Sequence, residues 1–130
     1  MTAFRGLVLF SLLFVASCAP EATKEVPQEF KAGQKYYHKV CSNCHGADAM
    51  GKHTQAPRLI DAEYIEENFS DEEFSETIIH GINKMPSQRS KLTDEEIAEI
   101  IKYLRYSQKI AGLVVEEDVE EEMLNDEDAQ

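Results

Sequence analysis

Five consecutive residues have the types and spacing to do chemistry: Cys41-Ser42-Asn43-Cys44-His45. The pattern C-x-x-C-H is the attachment signature of covalently bound haem c. Two thiols three residues apart lie on the same side of a helical turn, where each can add to one vinyl group of the haem. The histidine that follows the second thiol then directs its imidazole at the iron. We therefore predict one covalent haem c joined through Cys41 and Cys44, with His45 as an axial ligand of the iron.

Two other uses of a C-x-x-C pair fit less well. A thioredoxin-like redox pair needs no following histidine and lies in a βαβ context, which the sequence does not show. A structural zinc site needs two more soft ligands at regular spacing, and the chain has no second cysteine pair.

The N-terminal residues have the form of an export signal. Arg5 precedes an apolar run from Leu7 to Val15 that is short for a membrane span, and small residues lead to Cys18. The ending resembles a bacterial lipobox, in which the cysteine is lipidated and becomes the new N-terminus. We predict that residues 1–17 are a lipoprotein signal peptide that is removed and that Cys18 takes the lipid. An ordinary signal with an incidental cysteine, or an uncleaved anchor, is the alternative.

This segment also predicts the location of the protein. A haem c is attached outside the cytoplasm, so we expect a lipid-anchored protein of the bacterial cell envelope with its haem domain on the periplasmic side. The residue after Cys18 is Ala19 and not the aspartate often linked to inner-membrane retention. This favours the outer membrane, but the sequence does not decide between the two membranes. Residues 18–28, with Pro20 and Pro27, predict an extended tether of about 3 Å per residue.

The chain is acidic, with 25 Asp and Glu against 13 Lys and Arg and a net charge of −12. Nothing in this balance suggests nucleic-acid binding. Nine of the acids lie in residues 116–130, which contain no Lys or Arg, so we predict that residues 111–130 form a disordered acidic tail. Val115, Val119 and Met123 recur every four residues, and a segment that docks on a basic partner is the alternative.

The apolar periodicity predicts an all-α protein, because no alternating strand pattern competes with it. Helices are expected in four segments: Glu29 to Cys41, Ile60 to Phe69, Ser70 to Gly81, and one that opens at Thr93. The last two begin with capping boxes. The final helix buries one face at the spacing i, i+3, i+4, i+7, formed by Ile97, Ile100, Ile101 and Leu104. Gly33 interrupts the first helix, so we expect another backbone to approach it closely.

The function depends on whether a protein side chain binds the opposite face of the iron. A bound side chain favours electron transfer, and an open position favours gas binding or catalysis. Met85 is the leading candidate for the second axial ligand, since it lies in a loop beside Pro86 and 40 residues beyond His45. A methionine is otherwise a common core filler. Met50 is too near His45 to reach the other face easily. The remaining histidines are expected to be ordinary: His38 on the surface, and His53 and His80 solvated or hydrogen-bonded.

Several motifs together resemble the class I c-type cytochromes, which are mono-haem proteins with His/Met ligation. They occur in the family's order between Glu29 and Gln108: Gly33-x-x-x-Tyr37-x-x-x-Cys41 with the attachment motif and Gly46, Ala56-Pro57-Arg58-Leu59, Ile78 to Pro86, and Leu92 to Ile97 followed by Tyr103-Leu104.

This resemblance implies a cytochrome c-like fold of three to five short helices around one covalent haem, in a domain of residues 29–110. It implies that the first and last helices cross near Gly33, with Tyr37 and Tyr103 at the crossing. It further implies that the Pro57 carbonyl accepts a hydrogen bond from His45, and that Met85 binds the iron.

The function expected is a membrane-anchored electron carrier, not an enzyme, that passes single electrons between redox protein partners, one of which has a basic docking face. A haem subunit bound tightly to an oxidase, reductase or dehydrogenase is the alternative. A haem sensor or catalyst is the third hypothesis.

Overall fold

The computed structural model describes residues 20–52 and 55–114, and within these ranges the chain is helical with no strand. Short 3-10 turns at Gln28–Phe30, Ala47–Ala49 and Ala62–Tyr64 accompany the four helices. The helices are α1 (Lys31–Val40), α2 (Ser42–His45), α3 (Asp71–His80) and α4 (Asp94–Ile110). The all-α prediction is confirmed for these residues.

The helices α3 and α4 both begin at the capping boxes that the sequence predicts. The Ser70 hydroxyl accepts from the Glu73 amide while the Glu73 carboxylate accepts from the Ser70 amide, and Thr93 and Glu96 repeat the arrangement. These contacts satisfy amide groups that have no partner inside the helix. The predicted buried face of α4 is also present, with Ile97, Ile100, Ile101 and Leu104 all buried.

The helices α1 and α4 cross at Gly33, as the resemblance to the c-type cytochromes implies. A Cβ atom at Gly33 would lie 1.9 Å from the carbonyl oxygen of Glu99 and 2.8 Å from Cβ of Tyr103, so only glycine permits this approach. Next to the crossing, the buried rings of Tyr37 and Tyr103 have centroids 5.7 Å apart. This crossing packs α1, which leads into the attachment motif, against α4.

The helix predicted from Ile60 to Phe69 is wrong, since only the short turn Ala62–Tyr64 forms there. Ile65 has an extended backbone (φ −67°, ψ 163°), which stops the turn from continuing as a helix. Side chains of α4 donate hydrogen bonds to backbone carbonyls of this segment. Arg105 donates to the carbonyls of Tyr64 (2.7 Å) and Phe69 (2.6 Å), and Gln108 donates to that of Tyr64 (2.8 Å). Hydrogen bonds from a distant helix thus replace those of a local one.

Part of the segment predicted as an extended tether, residues 18–28, contacts the domain. Val26 is buried, and both the amide and the hydroxyl of Thr23 donate to the Asp48 carboxylate. The Gln34 side chain donates to the carbonyl of Lys24 (2.7 Å). Residues from about Thr23 onward are therefore held against the domain. Cys18 and residues 1–17 lie outside the described residues, as do His53 and the acidic residues from 115 onward. No helix among the described residues is long and apolar enough to cross a membrane.

Candidate functional site

The attachment motif occupies a single helical turn directly after α1. The amides of Cys44 and His45 both donate to the carbonyl of Cys41, at 3.1 and 3.0 Å. The Ser42 hydroxyl, which is buried, donates to the carbonyl of His38 (2.7 Å) and joins the turn to α1. The two thiols are not bonded to each other; Cys41 is half-buried and Cys44 is exposed. The turn therefore presents two separate thiols with an imidazole directly after them.

The Cys41 thiol is held in its protonated form in this fold. Burial raises its pKa to about 12, the nearby Cys44 sulfur adds to the rise, and Lys91 acts in the opposite direction. A thiolate is the reactive form of cysteine. The folded chain without haem thus holds Cys41 as a neutral thiol at neutral pH, and a thioether at this position would carry no proton to titrate.

The imidazole of His45 is oriented by a backbone carbonyl. His45 is buried, and its Nδ1 lies 2.9 Å from the carbonyl oxygen of Pro57. A carbonyl can only accept, so Nδ1 carries the proton and Nε2 carries the lone pair that a metal ion needs. This is the hydrogen bond that the resemblance implies for Pro57, and such a contact both fixes the ring and increases the basicity of the ligating nitrogen.

The loop that carries Pro57 is held to the attachment turn by backbone contacts. The amide of Leu59 donates to the carbonyl of Ala49 (2.9 Å), and the amide of Gly51 donates to that of His45 (2.7 Å). The hydroxyl of the buried Tyr37 donates to the carbonyl of Gly46 (2.9 Å). Because these bonds join the two loops, the His45–Pro57 pair is a preformed feature of the fold.

Met85 lies in a tight turn after α3. Its amide donates to the carbonyl of Ile82 (2.8 Å), and the Ile82 amide donates back to the carbonyl of Met85 (3.0 Å). The turn is attached to α3 by the amide of Gln88, which donates to the carbonyl of Ile78 (2.9 Å), and by the Ser87 hydroxyl, which donates to that of Ile79. Met85 is half-buried against the apolar core, on which Cys41 also packs.

Lysines are close to the attachment site in this acidic chain. Lys52 donates to the carbonyl of Asn43 inside the motif (3.3 Å), and Lys84 precedes Met85 and donates to the Gln55 side chain. Lys91 is near enough to oppose part of the rise in the pKa of Cys41. Three lysines thus lie in or beside the segments that carry the predicted site residues.

The other methionine and histidines considered as ligands differ in exposure, and His53 lies outside the described residues. Met50 is 46% exposed, and His80 is exposed with its Nε2 3.2 Å from the Glu76 carboxylate. The prediction that His38 lies on the surface is wrong, because its side chain is only 11% exposed. Its Nδ1 donates to the carbonyl of Gln34 (2.8 Å), and its Nε2 accepts from the Asp48 amide (3.1 Å).

Asp48 is a structural residue that no sequence signal singles out. It is buried, has a positive φ of 51°, and receives hydrogen bonds from Thr23 and from the hydroxyl of Tyr103 (3.4 Å). It joins the N-terminal segment, the attachment loop and α4. Its partners lie 25 and 55 residues away along the chain, so spacing could not predict them.

The residues present fit a covalently attached haem. The donor set combines two unbridged thiols on one turn, an imidazole whose Nδ1 proton is engaged by a carbonyl, and a half-buried thioether in a braced turn. Cys41, Cys44, His45 and Pro57 are brought together by the fold, whereas Met85 comes from a separate loop on the same core.

Comparison with known proteins agrees with this site. Residues 28–104 match the family model described as cytochrome c oxidase, cbb3-type, subunit III. The chain is similar to cytochrome CL from Methylophaga aminisulfidivorans, with 35% identity, 68% of this chain and 62% of that chain covered, and a TM-score of 0.54. It is also similar to the c-type cytochrome XoxG from Methylobacterium extorquens AM1, with 29% identity, 65% and 54% covered, and a TM-score of 0.55.

Cytochrome c6 from the diatom Phaeodactylum tricornutum shares the fold, with 23% identity, 62% of this chain and 95% of that chain covered, and a TM-score of 0.51. The chain spans less than two thirds of the length of the two bacterial cytochromes. No match was found among curated proteins. The chain belongs to the class I c-type cytochromes, within the family of the cbb3-type oxidase subunit III domain, and its cofactor is covalently attached haem c.

Proposed function

We propose that this cytochrome is a lipid-anchored, mono-haem electron carrier on the periplasmic side of the bacterial envelope. Cys41 and Cys44 form the thioethers, His45 and Met85 are the axial ligands, and Cys18 carries the lipid. The protein passes single electrons between redox protein partners and does no bond chemistry on a substrate. Its anchor and export follow from the lipoprotein signal in residues 1–17.

The observation that carries this proposal is the way in which the fold braces Met85. A closed sixth position makes an electron carrier, and an open one makes a gas-binding or catalytic haem. Met85 lies in a turn closed by two reciprocal backbone hydrogen bonds, and Gln88 and Ser87 attach that turn to α3. These contacts fix the backbone of the turn, so the half-buried Met85 has a defined position from which its sulfur can bind the iron permanently.

Each site residue contributes a separate physical effect. The haem supplies the one-electron iron couple. The Pro57 carbonyl holds the Nδ1 proton of His45, so the imidazole keeps one tautomer and one orientation at 2.9 Å. The neutral, soft sulfur of Met85 favours ferrous iron and raises the reduction potential relative to a second histidine. Buried Leu59, Ile60 and Leu92 exclude water from the domain interior.

The test of the proposal is the substitution Met85→Ala in the holoprotein. Ferric wild type should show the methionine-to-iron charge-transfer absorption in the far red, and ferrous wild type should resist carbon monoxide at neutral pH. The Met85→Ala variant should lose the band, bind carbon monoxide and have a lower reduction potential. Met50→Leu and His80→Gln are the matched controls, because both residues are exposed, and they should keep all three properties. Ready binding of carbon monoxide by the wild type would favour the sensor or catalyst hypothesis.

A second function is favoured by the family match alone. The matching family is named for subunit III of an oxidase, so the chain is also a candidate for a haem subunit bound permanently to an enzyme complex. Purification of the full chain in mild detergent separates the two: a carrier elutes alone, and a subunit elutes with its complex. The same preparation tests lipidation, because wild type should carry acyl mass at Cys18 and Cys18→Ala should not.

A further inference from the structure

A long groove runs along the outer side of α4. It has a volume of about 900 Å³ and is bounded by α4, the start of α3, the residues before α3 and the segment that leads into α1. None of the predicted haem-site residues lines it. The groove is therefore a surface separate from the site already described.

The floor of the groove is apolar and includes large side chains. It is formed by Phe30, Ala98, Ile101, Tyr106 and Ile110. The rings of Phe30 and Tyr106 stack with centroids 4.1 Å apart, and Ile110 is 52% exposed. Exposed apolar surface of this kind, surrounded by polar residues, is typical of interaction sites.

The rim of the groove is acidic. Six carboxylates line it: Glu29, Glu66, Glu67, Asp71, Glu72 and Asp94. Three basic residues also line it: Lys102, Arg105 and Lys109. Arg105 pairs with Asp71 (2.7 Å), and Asp94 pairs with Arg89, which does not line the groove. Four glutamates and two lysines then remain on the rim. Lys102 lies over the Phe30 ring, 5.5 Å from its centroid. The rim thus has an excess of negative charge.

We propose that this groove binds a basic amphipathic segment of a partner protein, with apolar side chains on the floor and Lys or Arg side chains against the rim. The chain's own acidic tail is the wrong occupant by charge, because residues 116–130 carry nine acids and no base.

This inference deepens the proposed function by locating the site for a partner with a basic docking surface. A segment bound in the groove need not cover the attachment turn or Met85, since none of these residues lines it. The groove can therefore keep the cytochrome on one protein while it exchanges electrons. Its failure is separable from that of the proposed function, because Met85→Ala should leave binding in the groove unchanged.

The experiment uses the reduced, full-length holoprotein and a synthetic peptide of leucine and lysine whose leucines lie on one face of a helix. NMR shifts of Ala98, Ile101 and Ile110 should follow the peptide titration. The charge reversal Glu66→Lys with Glu67→Lys should weaken binding about tenfold. The matched reversal Glu21→Lys with Glu25→Lys alters net charge equally at exposed acids outside the groove, and it should weaken binding by less than about threefold.

Further arms of the experiment separate the groove from simple charge attraction. A peptide of the same composition with its leucines scattered around the helix should bind at least about tenfold more weakly. Ala98→Arg places a charge on the apolar floor and should weaken binding of the amphipathic peptide. Ser90→Arg, outside the groove, should leave that binding unchanged. Equal loss in both charge reversals, or peptide shifts confined to Lys84 and Met85, would overturn the proposal. The proposal would also be overturned if Val119→Asp changed the NMR shifts of the groove residues in the absence of peptide. That result would show that the chain's own tail occupies the groove.

Discussion

Replacing Gly33 by alanine tests the crossing of α1 and α4 on which the whole domain depends. The added Cβ would lie 1.9 Å from the Glu99 carbonyl oxygen, about 1.5 Å short of an ordinary contact at 3.4 Å. The neighbour is backbone of another helix, so no side-chain rotation can relieve the clash. The two helices must move apart, which loosens the contact between the rings of Tyr37 and Tyr103.

The magnitude follows from two opposing effects. Alanine is favoured over glycine inside a helix by about 1 kcal/mol. Overpacking of a tight core costs about 1–3 kcal/mol, and a rigid backbone neighbour places this case at or above the upper end. The net expectation for Gly33→Ala is a loss of about 2 kcal/mol in the free energy of unfolding. For a domain of this size that lowers the melting temperature by about 8–16 °C.

The assay is thermal and guanidinium unfolding of the holoprotein, followed by circular dichroism. Lys35 provides the control because it is exposed on the same helix. There, alanine should be more stable than glycine by about 1 kcal/mol, which measures helix propensity alone. If Gly33→Ala is as stable as wild type, or more stable, the close approach of the two helices is refuted.

Three further outcomes are expected. Cys44→Ser should prevent normal haem attachment, and a haem-sized mass increment on that variant equal in yield to wild type would contradict the thioether assignment. Arg105→Met should lower the free energy of unfolding by about 2–3 kcal/mol in guanidinium titration, because it leaves Asp71 and the carbonyl of Phe69 without their donor; Arg105→Lys should recover little of this, since an ammonium cannot reproduce the fork of donors. Burial, followed by the Asp48 charge, raises the pKa of Tyr103 to about 12. The unfolded chain then loses its proton first, near pH 10, so stability should fall between about pH 10 and pH 12 by up to about 1.4 kcal/mol per pH unit for this group. Tyr103→Phe should reduce that alkaline slope, and an unchanged slope would show that the tyrosine does not titrate with unfolding.

Sequence patterns predicted those parts of the protein that depend on near neighbours along the chain. The attachment motif lies within one helical turn, and both capping boxes join residues three apart, so spacing alone defines their geometry. The buried stripe of α4 follows in the same way from the helical repeat. The contact between Pro57 and His45 came only from the family resemblance, because the sequence does not show which carbonyl meets the ring. Ligation of the iron by Met85 stays a prediction.

Tertiary structure decided the features whose partners are distant in sequence. Residues 60–69 have the apolar pattern of a helix but form only a short turn. Arg105 and Gln108 of α4 donate hydrogen bonds to backbone carbonyls of this segment in place of local helical ones. The N-terminal segment has the composition of a free linker, but the carboxylate of Asp48 holds Thr23 to the domain. The acidic groove likewise exists only because α3, α4 and the segment before α1 converge. A short-range pattern cannot encode these outcomes, since each one depends on which hydrogen-bond donors and apolar surfaces the folded chain brings within a few ångströms.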